Sequence, residues 1–349
     1  MRLRLARTIG AFLAGAFLLA GAAGAQAMSK CIVSPRKPPY TVSWADIYLA
    51  PTWMTQTTQT MNDMARDLKQ AGLLKSFTIQ NANGNVTQQI QQIQAMIDAN
   101  TDVIIVDAGS PTALDRVVSQ ACRKGIAVVS FDSPIHTNNL TTKIEVSAQS
   151  WGTATADWLV QTLGGKGDIL VLNGPAGIGV SEARWAYAKK VFAAHPGIHV
   201  VAISNTEYNA APAEQSVSSL LYAHPHVDGI WSQGGALSAG AVLAYERAGK
   251  PIPPMTGENS KQFLEMWAQK KLTAMAVGNP NWMGAMAILA GVLAQQGKDV
   301  KFPIDVPIPV ITDANLDAIL ASGKNFPDDG FIYPPYTQAS LQAMILAQP

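Results

Sequence analysis

The chain has 349 residues, of which 48% are hydrophobic and 14% are charged, and its formal net charge is +1. This length and composition predict large buried cores and two domains rather than one. A charge so close to neutral excludes the strongly basic surface that nucleic-acid-binding proteins use.

The first 27 residues have the pattern of a signal peptide. Arg2, Arg4 and Arg7 precede an apolar run over 9–20, and residues 24–27, GAQA, end in the small-x-small pattern of a signal-peptidase site. The alternative is a membrane anchor, but a dozen apolar residues fall short of the roughly 20 needed to span a bilayer. We expect cleavage after Ala27 and export to the periplasm. Removal of three arginines changes the balance from 25 to 22 bases against 24 acids, a net charge of −2.

Only two cysteines are present, Cys31 and Cys122. An exported compartment permits a disulfide, so we predict that they pair, with two separate thiols as the alternative. The residues directly before Cys31, AMSK, lack the small apolar pattern that lipoprotein processing requires. We therefore expect no lipid anchor there.

The first half of the chain alternates apolar strands with helices that have one apolar face. Strands with runs of β-branched residues are typical of a parallel sheet that helices cover on both faces. The predicted strands are TVSWAD (41–46), SFTIQNA (76–82), DVIIVDA (102–108) and GIAVVSFD (125–132). The predicted helix faces are Met61, Met64, Ala65 and Leu68, then Val86, Ile90, Ile93 and Ile97, and a third helix covers 114–124.

A second set of the same kind follows residue 149. Its predicted strands are DILVLNG (168–174), HVVAISNT (199–206), GIWSQ (229–233), IPPMTGEN (252–259) and TAMAVGNPN (273–281). Its predicted helices begin near Ser150, Ser181, Ala213 and Ser238, and a buried helix covers 283–296. The prolines of FPIDVPIPVIT (302–312) predict an extended segment, and we expect the remainder to Pro349 to be a tail packed on the surface.

Acidic residues follow three of the predicted strands of the first half. Asp46, Asp107 and Asp132 each come at the end of an apolar run, and Ser133 and Pro134 then stop the last strand. In open α/β sheets the carboxyl ends of the strands hold the ligand. We therefore interpret these acids as ligand-binding candidates, with turn or helix capping as the alternative.

Four segments together resemble the type I periplasmic sugar-binding proteins of ABC importers, the ribose-binding group. They are residues 83–134, GDILVLNGPAG (167–177), LLYAHPHVDGIWSQ (220–233) and GAVLAYERAGK (240–250), and the resemblance covers about 41–309. It implies an α/β fold of two doubly wound parallel-sheet lobes joined by a three-crossover hinge. The crossovers would fall near Ser147 and Ala148, near Gly278 and Asn279, and near Asp305. Lobe one would be 28–147 plus 279–304, and lobe two would be 148–278 plus 305–349, including the tail.

The resemblance also implies a set of ligand contacts. Asp132 matches the strand-end aspartate that accepts from sugar hydroxyls, and Arg184 matches an arginine that reaches across the cleft. Trp53 and Tyr208 match aromatic residues that stack on sugar rings. The other candidate ligand-binding residues are Asp46, Asp107, Ser110, Ser133, Gln233, Gly234, Glu258, Asn259 and Asn279.

The sequence departs from the family where the helix after GIWSQ begins. Gly234 and Gly235 replace the usual Asn-Asp pair, which would leave backbone N–H groups bare at a helix start. With Arg184 nearby, we expect a more electropositive wall on lobe two, which favours a ligand with a carboxylate or a bulkier substituent over a plain aldopentose; the alternative is a neutral sugar or polyol. The solute is therefore a sugar, a polyol or a sugar acid, and its identity stays open.

No pattern for other chemistry is present. His195 and His199 are separated by Pro-Gly, which breaks any helix that would align them on a metal, and NGPAGIG (173–179) fails the G-x-G-x-x-G pattern. We expect no enzyme activity, no cofactor, no metal and no nucleic-acid partner. The resemblance implies a monomer that delivers its solute to ABC permease subunits; the alternative is an exported sensor subunit that presents the solute to a membrane receptor or kinase.

Overall fold

The computed structural model of the protein describes residues 31, 33–48 and 52–347. The predicted signal peptide, 1–27, lies outside this range. Among the described residues, no helix combines the length and the apolar character that crossing a bilayer requires.

Twelve strands are found in the described residues. In chain order they are β1 (Tyr40–Asp46), β2 (Leu74–Asn81), β3 (Val103–Val106), β4 (Ala127–Phe131), β5 (Thr142–Val146), β6 (Gly167–Asn173), β7 (Ile198–Asn205), β8 (Gly229–Ser232), β9 (Met255–Glu258), β10 (Ala274–Val277), β11 (Ile304–Val306) and β12 (Val310–Ile311).

Eleven helices connect or cover these strands. They are α1 (Thr52–Gln70), α2 (Val86–Asp98), α3 (Asp115–Arg123), α4 (Ala148–Thr162), α5 (Gly179–Ala193), α6 (Ala210–Ala223), α7 (Gly235–Arg247), α8 (Lys261–Lys270), α9 (Met283–Gln295), α10 (Leu316–Ser322) and α11 (Gln338–Ile345).

The strands form two six-stranded sheets, one in each lobe. The first has the order β2-β1-β3-β4-β5-β11 and is parallel throughout. The second has the order β7-β6-β8-β9-β10-β12, and only β12 runs antiparallel to its neighbour. Separate apolar clusters cover the two faces of each sheet. The predicted fold of two doubly wound lobes is confirmed.

The buried strands and helices follow the sequence pattern closely. Every residue of β3 and β4 is buried, as expected for strands covered on both faces. All 13 residues of α9 are buried, because this helix lies in the core of lobe one against α1 and the sheet.

The buried face of α2 differs from the expected one, since Gln89 is fully buried and Ile90 only partly. The Gln89 side chain bonds the backbone of Ala45, Asp107 and Gly109.

The chain passes from β5 of lobe one to α4 of lobe two between Val146 and Ala148, and from β10 of lobe two to α9 of lobe one through Asn279. The third crossing is displaced from its expected position. Asp305 lies inside β11 and is paired with Glu145 of β5, so it belongs to lobe one. The chain passes to lobe two only between Val306 and Val310, where β12 joins β10.

The expected surface tail is also wrong, and with it the assignment of all of 305–349 to lobe two. After α10, which packs on α8 of lobe two, the chain returns to lobe one and ends in α11 on α9. Leu341 and Ile345 of α11 are fully buried in the lobe-one core, because α11 is amphipathic and α9 offers an apolar surface. Residues 326–336, here called the C-terminal strap, thus make a fourth crossing between the lobes.

Cys31 and Cys122 are joined by a disulfide, with Cα atoms 5.4 Å apart. The Cys31 N–H also donates to the Leu140 carbonyl at 3.1 Å. Cys122 lies in α3, so the bond ties the segment before β1 to a lobe-one helix.

We predict that replacement of one half of the disulfide, Cys122→Ser, lowers the free energy of unfolding by about 2–4 kcal/mol. The two residues are 91 apart in sequence, so the cross-link removes loop-closure entropy from the unfolded chain. Denaturant titration measures the change, and the double variant with Cys31→Ser should match the single one. Two titratable thiols in the unfolded, non-reduced parent protein would contradict the prediction.

Candidate ligand-binding cleft

A cavity of about 390 Å³ lies between the two lobes, a volume typical of small-molecule sites. Both lobes and the strap contribute to its wall. From lobe one and the second crossing come Ile47, Tyr48, Trp53, Met54, Gly84, Asp107, Asp132, Ser133 and Asn279; from lobe two come Pro175, Ile178, Val180, Arg184, Glu207, Tyr208, Asn209 and Glu258; the strap adds Phe331.

Three aspartates meet at the lobe-one side of the cleft, the buried Asp46 and Asp107 and the partly exposed Asp132. Asp46 ends β1, Asp107 follows β3 and Asp132 follows β4, and these three strands are neighbours in the sheet. Parallel strands bring their carboxyl ends to one edge, so the acids converge although they are far apart in sequence. Asp107 and Asp132 line the cavity, whereas Asp46 lies behind them.

Local structure aims the Asp132 carboxylate at the cavity. Its φ of +58° lies in the left-handed region, which aspartate tolerates better than most residues and which turns the chain sharply after β4. The next residue, Ser133, donates its N–H to Asp107 Oδ1 at 3.3 Å. The turn thereby fixes both carboxylates that face the cavity.

Burial raises the pKa values of all three acids, and repulsion between carboxylates adds to the effect at Asp46 and Asp107. Burial raises the pKa of Asp46 to about 7, and the charge of Asp132 adds to that effect. Burial raises the pKa of Asp107 well above its ordinary value, with further contributions from Asp132 and Asp46. Burial also raises the pKa of Asp132, although the Arg184 charge opposes it. Because the pKa of Asp46 is raised to about 7, its carboxyl is partly protonated near neutral pH, so the cluster offers a donor as well as acceptors.

Asn279 connects this acid cluster to the second crossing. Its Nδ2 donates to Asp132 Oδ1 at 3.4 Å, its N–H donates to Asn259 Oδ1 at 3.1 Å, and its carbonyl accepts from Trp53 Nε1 at 2.8 Å. The buried Asn279 Oδ1 has no hydrogen-bond partner among the described residues. Asn279 as a residue lines the cavity, and a buried acceptor without a partner favours a hydroxyl donor that can reach it.

On the lobe-two side, Arg184 and Glu258 form a buried ion pair. Arg184 Nη1 lies 2.7 Å from Glu258 Oε1, and both side chains are more than nine-tenths buried. The guanidinium also lies over the Trp151 ring, 4.8 Å from its centroid. Burial raises the pKa of Glu258 to about 6, against the lowering effect of Arg184.

The expected electropositive wall on lobe two is therefore wrong. Glu258, at the end of β9, supplies a carboxylate to Arg184, and the Gly235 N–H at the start of α7 lowers the pKa of the same carboxylate. The Glu258 carboxylate of the protein itself therefore already balances the charge of Arg184 beside the N-terminus of α7.

Tyr208 closes the lobe-two wall above two glycines. A Cβ at Gly174 would lie 2.3 Å from the Tyr208 ring, and one at Gly234 would lie 2.9 Å from it, so only glycine admits this packing. The Tyr208 hydroxyl donates to Gln233 Oε1 at 3.2 Å. Gln233 is fully buried and its Nε2 in turn donates to Asn173 and Ser181. Gln233 and Gly234 therefore position Tyr208 and do not line the cavity.

Of the 13 candidate ligand residues from the sequence, eight line the cavity: Trp53, Asp107, Asp132, Ser133, Arg184, Tyr208, Glu258 and Asn279. Asp46, Gln233 and Gly234 lie directly behind the wall, as described above. Asn259 is also behind it, where it bonds Asn279 and the Ile332 carbonyl. Ser110 is displaced from the cavity, and its Oγ accepts from the Ala113 N–H at 3.3 Å instead.

Sequence reasoning missed several residues of the wall. Glu207 and Asn209 flank Tyr208 in the loop before α6, and their position next to a recognised aromatic was a usable signal. Tyr48, directly after β1, was recognisable in the same way. Phe331 carries no such signal, because it comes from the segment that was expected to be a tail.

Residues 47–299 match the family described as the periplasmic binding protein domain. The chain is 25% identical over 244 residues to a xylitol-binding protein of Mycolicibacterium smegmatis. The aligned region covers 68% of this chain and 69% of that protein. It is 21% identical over 247 residues to a ribose import binding protein of Bacillus subtilis. That aligned region covers 71% of this chain and 80% of the Bacillus protein.

The fold is also found in a solved structure, an ABC transporter solute binding protein from Thermobispora bispora. That structure superposes with a TM-score of 0.79 at 26% identity and covers 87% of this chain and 94% of the other. These matches agree with the two lobes and the interlobe cavity described above. The chain belongs to the periplasmic binding protein domain family, as a type I member of the ribose-binding-like group.

Proposed function

We propose that the protein is a periplasmic solute-binding protein that holds a neutral sugar or polyol between its lobes and delivers it to the permease of an ABC importer. The observation that carries this proposal is the shared cavity, because a solute inside it touches both lobes and stabilises their closed arrangement. The signal-peptide pattern of 1–27 supports a periplasmic location, and the relatives named above support a role in import.

The polar groups on the cavity wall favour vicinal hydroxyls. Each hydroxyl is both donor and acceptor. Burial raises the pKa values of Asp107 and Asp132, which favours a protonated, donating carboxyl beside an ionised, accepting one. Asn279 Oδ1 adds an acceptor without a partner among the described residues. Trp53 and Tyr208 provide aromatic surface from opposite lobes for the carbon skeleton.

The charges on the wall favour a neutral solute over an anion. Arg184, which lines the cavity, is already paired with Glu258. A carboxylate in the cavity would also face Asp107 and Asp132. It would therefore be buried beside like charges without a free cation, which costs several kcal/mol.

Delivery to a permease and presentation to a receptor use the same cleft. A strain that lacks this protein should lose uptake of the radiolabelled solute, and the gene supplied in trans should restore it. Unchanged uptake together with a lost transcriptional response to the solute would favour the sensor alternative and refute delivery.

Asp132→Asn should raise the Kd for the bound solute about 10- to 100-fold. The change keeps the shape of the side chain but removes a charged acceptor, which contributes about 1.5–3 kcal/mol in a hydrogen bond. A thermal-shift screen over pentoses, hexoses, polyols and inositols identifies the solute, and calorimetry measures the Kd. Ser110→Ala is the matched control, and its Kd should stay within about twofold because Ser110 is outside the cavity. Similar losses in both variants would contradict this assignment of the site.

Glu258→Gln should shift the solute preference towards acids. We expect the parent protein to bind D-glucose or xylitol more tightly than the matching acids, D-glucuronate and D-xylonate. The variant leaves Arg184 without its carboxylate, so the ratio of acid to neutral affinity should rise about tenfold or more. Calorimetry on each matched pair measures the ratio, with the half-exposed Glu265→Gln on α8 as the control. Tighter binding of the acids by the parent protein would refute the neutral solute.

A further inference from the structure

The C-terminal strap places neighbouring side chains in the cores of different lobes. Phe331 packs in the lobe-one cluster with Trp53 and Met54, whereas Ile332 packs in the lobe-two cluster with Phe263. Successive side chains of an extended segment point to opposite sides, which explains this division. The two residues are 7% and 3% exposed, so both are firmly buried.

Each lobe also holds the strap backbone at this point. Gln56 of α1 accepts from the Phe331 N–H through Oε1 at 2.7 Å and donates through Nε2 to the Phe331 carbonyl at 3.4 Å. From lobe two, the Asn259 carbonyl accepts from the Ile332 N–H at 2.9 Å, and the Lys261 N–H donates to the Gly330 carbonyl at 2.7 Å. Hydrogen bonds from both lobes therefore hold the backbone that carries the Phe331 ring.

The fixed ring of Phe331 forms part of the cavity wall beside Trp53 and Met54. A phenyl ring can neither donate nor accept a conventional hydrogen bond. A solute hydroxyl turned towards it would lose water and gain no partner, whereas a C–H group would gain buried contact area. Asp132 and Asn279, which can satisfy hydroxyls, come from the end of β4 and from the second crossing, not from the strap.

We propose that Phe331 is a specificity-determining residue that selects solutes presenting an apolar carbon, rather than a hydroxyl, to the strap side of the cavity. Gln56 is the residue that positions it. This inference rests on the proposed function, the binding of a neutral sugar or polyol. It adds that the preferred solute carries a deoxy carbon on one side.

Calorimetry on matched solute pairs that differ by one hydroxyl tests the selection. The pairs are D-fucose with D-galactose, L-rhamnose with L-mannose, and 2-deoxy-D-ribose with D-ribose. For at least one pair, the parent protein should bind the deoxy member about tenfold more tightly. Phe331→Ala should reduce that ratio to within about twofold of one, because the vacated space admits water to the hydroxyl. Phe331→Leu should keep most of the ratio. Because leucine keeps an apolar side chain at this position, this variant is expected to fold even if Phe331→Ala does not.

Two further comparisons separate selection from general damage. Gln56→Ala should lower the deoxy preference by releasing Phe331, and Gln56→Glu should restore it, because the retained carboxylate oxygen still accepts from the Phe331 N–H. Tyr222→Ala removes a 94% exposed aromatic side chain on α6 and should leave the ratio unchanged. Thermal unfolding of each variant reports whether it is folded.

The outcomes distinguish this inference from the proposed function. If the parent protein binds sugars or polyols without preferring a deoxy member, or if Phe331→Ala keeps the preference, the role of Phe331 is refuted and the proposed function stands. If the parent protein binds no sugar or polyol at all, the proposed function fails and this inference fails with it.

Discussion

The hydrogen bonds of Asn279 are the interaction on which the rest of the site depends. This one residue stands on the second crossing and bonds Asp132 of lobe one, Asn259 of lobe two and the indole of Trp53. The acid cluster, the crossing and the aromatic wall are therefore held in register by a single buried amide. Such networks are rigid when fully satisfied, and Asn279 Oδ1 is an atom of this network that has no partner among the described residues.

The two walls of the cleft solve the problem of buried charge in different ways. Lobe one gathers three acids whose burial raises their pKa values, with repulsion adding to the effect at Asp46 and Asp107, and the raised values favour protonation. Lobe two keeps a full cation and a full anion and places them in contact, Arg184 against Glu258. The result is a cavity that is rich in hydrogen-bonding groups and has little uncompensated charge, which suits a neutral polyhydroxylated solute.

Much of this arrangement could be predicted from the sequence because it rests on local patterns. Buried runs such as 103–106 and 127–131 identify parallel strands, and the acids that follow them identify the ligand edge of the sheet. The pairing of Arg184 with Glu258 could not be predicted, since it joins residues that are 74 apart in sequence, and their distance in space depends on where α5 lies relative to the end of β9.

The C-terminal strap was missed for a related reason. Its sequence, FPDDGFIYPPY (326–336), has no helix or strand period, and Phe331 acquires its place only through contacts with both lobes.

The division of lobe one along the chain has a consequence for the order of folding. Its core contains residues from β1 to β5, then α9 and β11, and finally α11, the last helix of the described residues. Strands β6 to β10 of lobe two, in contrast, follow one another without interruption. During synthesis from the N-terminus, lobe two therefore possesses five of its strands while lobe one still lacks the helix that fills its interior. Lobe one, whose strands β1 to β5 come first, is therefore completed last. Its first strands keep apolar surface exposed until α9 packs on them. Chaperones bind nascent proteins under this condition.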